Sequence, residues 1–193
     1  FTVLVMTEKV SPLSENADIC NLDKAEVFKI CLGVCDAVES YRSLDIYCEK
    51  ICPENIFIRD NGDYVLGDFG LGEKYRPDDD YTAPQNFGRK ENEPVIGEAD
   101  IYAAGMLFYK LLNHNRAPFL PSYPAPVSDF NRVNAITRRM NGEMTGMFEG
   151  SLIQEEAVAA KACAFDPKDR YKNISMFLAC NSLISISKSL ILK

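Results

Sequence analysis

Asn55 and Asp68 stand thirteen residues apart in CEKICPENIFIRDNGDYVLGDFG, residues 48–70. An amide oxygen and a carboxylate are hard ligands of the sort that Mg²⁺ accepts beside nucleotide phosphates. The stretch between them can bring them together. NIFI (55–58) and YVLG (64–67) have the apolar, β-branched character of short strands, and Asn61-Gly62 between them is a strong hairpin signal. Closing that hairpin returns Asp68 towards Asn55.

Other reactive side chains carry less. The only histidine, His114, follows the apolar run 101–112 in LLNHNRAPF, where a helix C-terminus favours a cationic or capping side chain, and nothing nearby supports a nucleophile. Seven cysteines, an odd number without framework spacing, read as reduced thiols used as small core residues. Cys31/Cys35 and Cys48/Cys52 each lie four apart, but without a second CxxC or a paired histidine they make a poor zinc clip.

The elements that must position Asn55 and Asp68 follow from periodicity. FTVLVMTE (1–8) has the character of a buried strand and breaks at KVSPLSEN. Asp23 with Glu26 forms a capping-box signature. Val27, Ile30, Cys31, Val34, Val38 and Tyr41 then recur at helical spacing, which predicts an amphipathic helix of about five turns. GEADIYAAGMLFYKLLN (97–113) is apolar nearly all round and should be the buried axle of the domain. Further helices are expected over 129–141, 151–164 and 173–187, with PFLPSYPAP (118–126) as a stiff connector and a polar, turn-rich segment at 71–96.

Composition bounds the function. A chain of 193 residues with 47% apolar content can bury one good core. A net charge of −7 with scattered Lys and Arg argues against nucleic acid, and no apolar run reaches the roughly 18–20 residues of a membrane span. Neither a nucleic-acid nor a membrane partner is expected, and a cytoplasmic location is.

Several fixed offsets then agree at once. PENI (53–56), GDFGLG (67–72), YTAPQ (81–85), DIYAAGMLFYKLL (100–112), LLNHNRAPFLP (111–121) and KACAFDPKDRY (161–171) together resemble the C-terminal lobe of protein kinases, in particular bacterial Ser/Thr kinases of eukaryotic type. The resemblance covers nearly the whole chain. It implies a mainly α fold, α+β overall: a kinase C-lobe helical bundle with a small β-hairpin and one N-terminal hinge strand, the N-lobe absent. Residues 1–12 would be the remnant of the hinge strand and linker, and 13–193 the C-lobe. Thr7 would fall at the gatekeeper position, with Glu8 and Val10 offering backbone groups to adenine, and Asn55 and Asp68 would be the metal ligands. The chain opens on Phe1 and is expected to be a fragment or a processed product.

The departures from the kinase pattern fall on the chemistry. In kinases an Asp five residues before the metal-binding Asn accepts the substrate proton, and a Lys two residues later contacts the transferring phosphate. Here those positions hold Lys50 and Cys52. An ammonium with an unperturbed pKa near 10.4 is no general base, and loss of the base alone is worth about 10²–10⁴ in rate. From Asp68 to Pro84 is seventeen residues, a short activation segment, and Asp78–Asp80 reads as a solvated loop rather than a built-in phosphate mimic. Gln85 replaces the Glu that pairs with a late Arg, so Arg170 loses a charge partner while keeping a hydrogen bond. Asp100 should hold the catalytic-loop backbone, with Phe69 packed beneath and Cys48 as a small substitute for the family's histidine. These features imply an inactive, pseudokinase-type module that binds a protein partner or self-associates through its N-terminal strand, with no cofactor, or ATP and Mg²⁺ if residual function remains. The alternative is a fragment of a working ATP-dependent Ser/Thr kinase.

Overall fold

The computed structural model describes residues 10–16, 18–45, 48, 51–67, 80–88, 98–143 and 153–181. The expected N-terminal strand at 1–8 lies outside them. The mostly helical architecture with a small antiparallel sheet matches the expected C-lobe.

Three strands form the sheet: β1 (Ser11–Pro12), β2 (Ile56–Ile58) and β3 (Tyr64–Leu66), in that order. β2 and β3 pair with Ile56 opposite Leu66 and Ile58 opposite Tyr64, as the hairpin signal predicts. The turn closes when Gly62 N–H donates to Arg59 C=O at 2.8 Å. Gly62 carries a φ of 81°, the left-handed region that glycine enters without a Cβ penalty. KVSPLSEN is more ordered than its turn-like composition suggests. Ser11 and Pro12 pair with Ile58 and Phe57, and the helical turn α1 (Leu13–Asn16) follows. The edge of β2 would otherwise carry unpaired backbone groups, and an edge strand is where a sheet tolerates proline. Fully buried Leu13 anchors the turn.

The helix α2 (Lys24–Arg42) buries Val27, Ile30, Cys31, Val34 and Val38 as the spacing requires. Its N-cap is half of the expected capping box. Asp23 accepts from Glu26 N–H at 2.8 Å, whereas the Glu26 carboxylate accepts from the Tyr64 hydroxyl of β3 and so ties helix to sheet.

The axle is α3 (Ala99–Leu112), buried continuously from Asp100 to Leu111. Phe108 lies between Phe28 of α2, 5.5 Å away between ring centroids, and Phe177, 6.1 Å away in an edge-on contact. Phe177 belongs to α6 (174–181); the rest of the helix expected over 173–187 lies outside the described residues. The remaining helices are α4 (Asp129–Met140), capped reciprocally by Ser128 and Asn131, and α5 (Ile153–Ala162). No described helix is long and apolar enough to cross a membrane.

α3 and α5 meet at Gly105, where a Cβ would lie 2.5 Å from Ala162 Cβ and 2.9 Å from Cys163 Sγ. Helix propensity alone would favour alanine there by about 1 kcal/mol. Overpacking of a close crossing costs about 1–3 kcal/mol, and Ala162 has no flexible end to move aside. The clash should win. Gly105→Ala is expected to lower the urea midpoint at unchanged m-value; an equal or higher midpoint would contradict the close crossing.

Candidate functional site

Of the two residues expected to hold a metal, Asn55 is positioned at the start of the hairpin. Pro53–Asn55 forms a single 3-10 turn, in which Asn55 N–H donates to Cys52 C=O at 3.0 Å. Gly67 N–H then donates to Asn55 C=O at 2.8 Å, one step beyond the Ile56–Leu66 pair. The residue before Asp68 is therefore bonded directly to Asn55. Asn55 is buried, and Cys52, at 1% exposure, is part of the hydrophobic core. Val10 is half-buried just ahead of β1. Glu8, Lys50 and Asp68 lie outside the described residues, as do Thr7, Phe69, Asp78 and Asp79.

The structure also holds a part-buried ion pair that the sequence did not reveal. Arg42, in the last turn of α2, grips Asp100 with both arms: Nε donates to Oδ2 at 2.7 Å and Nη2 to Oδ1 at 3.0 Å. Asp100 also accepts from Ile101 N–H at 2.9 Å. Among the described residues it is Arg42, rather than catalytic-loop backbone, that holds this carboxylate.

Cys48 packs against the same core, close enough to Asp100 for the charge to be felt. Burial first, and Asp100 second, push its thiol up to about 12, against an opposing pull from Arg42. Burial likewise raises Cys31, Cys35 and Cys163. These are protonated core groups, consistent with small fillers and poorly suited to nucleophilic or thiolate chemistry. His114 has a structural place too. Its Nδ1–H donates to Cys20 C=O at 2.7 Å, and its ring stacks on Tyr123 at 5.1 Å.

The segment 80–88 is fixed at both ends. Arg170 Nη2 donates to Gln85 Oε1 at 2.9 Å, the hydrogen bond expected to survive loss of the carboxylate. The same guanidinium donates to the carbonyls of Ala164 at 2.7 Å and Glu98 at 3.0 Å, and lies 5.0 Å from the Tyr102 ring centroid. Glu98 precedes α3 in the left-handed region at φ 58°, and the bond to its carbonyl helps hold it there. At the other end, Asp80 corrects the expectation of a solvated acidic loop: it is paired with Lys110 at 2.8 Å and Arg139 at 3.1 Å. The signal in the sequence was Lys110 itself, a lone cation in an otherwise apolar helix that must find a counter-charge.

Comparison with known proteins agrees with this geometry. No protein-family model matches the chain. The probable serine/threonine-protein kinase PknB of Corynebacterium glutamicum is 24% identical over 178 residues, covering 80% of this chain and 25% of that protein. Serine/threonine-protein kinase Pkn1 of Myxococcus xanthus is 30% identical over 168 residues, 78% of this chain and 23% of its own length. Tyrosine-protein kinase MasK of the same organism is 29% identical over 157 residues, 72% and 22% respectively. The chain is a protein-kinase-like C-terminal lobe. It spans about a quarter of the length of the curated relatives it matches.

In this lobe the thiol beside Asp100 should be chemically quiet. With its pKa raised to about 12, Cys48 is almost wholly protonated at pH 8. Iodoacetamide at that pH should alkylate Cys48 slower than free cysteine by about tenfold or more, with the rate rising as pH increases. Peptide mass spectrometry showing labelling at the rate of free cysteine would contradict this placement.

Proposed function

We propose that this lobe is of pseudokinase type: catalytically inactive, and acting as a protein-binding or regulatory module. The observation that carries the proposal is the burial of Cys52. It stands at the position matching the phosphate-contacting lysine of kinases, and a core thiol offers a phosphate neither charge nor access. Lys50, at the position of the general base, is the wrong chemical type to accept a proton. The supports of the fold have been kept all the same. Arg170 still holds Gln85, and Asp100 is still bound.

No bound cofactor is required by this reading. A cationic Lys50 within about 5 Å of a metal would oppose it by roughly 3 kcal/mol for each unit of the metal's charge at an effective dielectric of about 20. A second reading, part of a working ATP-dependent Ser/Thr kinase with its other lobe supplied elsewhere, is favoured by one observation. The Gly67–Asn55 bond sets the residue before Asp68 against Asn55.

One pair of measurements separates the two. Incubated with radiolabelled ATP and Mg²⁺ or Mn²⁺, the protein should label neither itself nor a generic protein substrate, and calorimetry should show no Mg²⁺-dependent ATP affinity in the micromolar range. Label that disappears in Asp68→Asn would overturn the inactive reading, and micromolar Mg²⁺-dependent ATP affinity would contradict the expected loss of nucleotide binding.

The partner surface proposed with this reading is the apolar stretch FTVLVMTE, whose composition suits pairing with another strand. Deleting residues 1–6 should change the oligomeric state or solubility while leaving helical content nearly intact. Light scattering that shows a monomer before and after deletion, at the same thermal stability, would rule out this surface.

A further inference from the structure

Three charged side chains take no part in the functional reading above, although all are nearly removed from solvent: Asp80 at 13% exposure, Lys110 at 6% and Arg139 at 3%. They come from the segment 80–88, from α3 and from α4. Lys110 Nζ donates to Asp80 Oδ2 at 2.8 Å, and Arg139 Nη2 donates to Oδ1 at 3.1 Å. Arg139 Nη1 also donates to the Asp80 backbone carbonyl at 2.7 Å. Both carboxylate oxygens and the main chain of one residue are thus held from two helices.

The neighbouring residues extend the grip. Lys110 Nζ lies 4.4 Å from the centroid of the Tyr81 ring, and Tyr81 is buried. Arg139 Nη1 reaches the Tyr102 hydroxyl at 3.4 Å, and the Tyr102 ring lies beneath Arg170, which holds Gln85. The stretch from Asp80 to Gln85 is tied down at its two ends.

We propose that Asp80 is a built-in ionic latch that fixes the segment 80–88 against α3 and α4 without covalent modification. Segments of this kind in kinases are commonly ordered by a phosphate added to Ser, Thr or Tyr and paired with arginine. Here the anion is encoded in the chain, and its cations are already buried beneath it. An exposed pair would contribute little to docking. In this latch, undocking the segment would break three hydrogen bonds to Asp80 and separate its carboxylate from the two cations it meets nearly out of water, and that cost favours the docked state. The docked state is therefore the resting state, present before any modifying enzyme acts. The latch does not depend on catalysis, so its test is separate from the labelled-ATP measurement.

Amide hydrogen exchange reads the latch directly. Asn86 and Phe87 N–H donate to the carbonyls of Ala83 and Pro84, and both amides should be protected in protein verified by mass to carry no phosphate. Asp80→Asn keeps the shape and removes the charge. It should speed exchange at Asn86 and Phe87 by about tenfold or more while amides of α2 from Ile30 to Val38 keep their protection. Should Asp80→Asn fail to fold, Lys110→Met, which leaves Arg139 in place, should give a smaller acceleration confined to the same two amides. Unchanged exchange at Asn86 and Phe87, or an equal acceleration in α2, would overturn the latch.

Discussion

The structure depends on a helix that is buried on every side and yet contains two charged residues. Asp100 and Lys110 lie at opposite ends of α3, and neither can be left unpaired away from water without a cost of several kcal/mol. Each therefore requires a counter-charge from another element. Asp100 takes Arg42, which fixes the C-terminal end of α2 across the axle. Lys110 takes Asp80, which brings in the segment 80–88, and Arg139 of α4 completes that cluster. Three elements are thereby placed by the electrostatics of one helix, while the aromatic stack through Phe108 supplies the apolar part of the same packing.

The supports of this kinase-like frame can be named residue by residue. The contacts that hold the lobe together run through α3 and Arg170. Cys52, at one of the positions that depart from the kinase pattern, lies instead in the hydrophobic core. Replacing a carboxylate by Gln85 cost a charge but not a hydrogen bond, because the amide oxygen still accepts from Arg170. Cys48, partly buried against the same core and close enough to Asp100 to feel its charge, is a small protonated thiol.

Among the described residues, patterns that repeat over several positions fold as their spacing requires. The stripe from Val27 to Tyr41 specified α2, the continuous apolar run specified α3 as the axle, and Asn61-Gly62 specified the turn that sets Asn55 against Gly67. Short or singular features were less legible. The two-residue strand at Ser11 exists because β2 has an edge to pair, and no property of KVSPLSEN by itself requires it. Glu26 satisfies the sequence rule for a capping box, yet its carboxylate goes to Tyr64, a partner 38 positions away that only the packed sheet brings within reach.

The sequence by itself determined the element types, the identity of the kinase-like motifs and the residue types that stand at positions 50 and 52, because each of these is a matter of residue type at a fixed local spacing. Tertiary structure alone decided which charges meet. Asp80 and Lys110 are 30 residues apart, Arg42 and Asp100 are 58, and Asp80 and Arg139 are 59. Read along the chain, DDD is an acidic loop and Lys110 an anomaly in an apolar helix. Folded, the anomaly and one of the acids cancel, because a buried charge is tolerated only where the chain delivers its opposite.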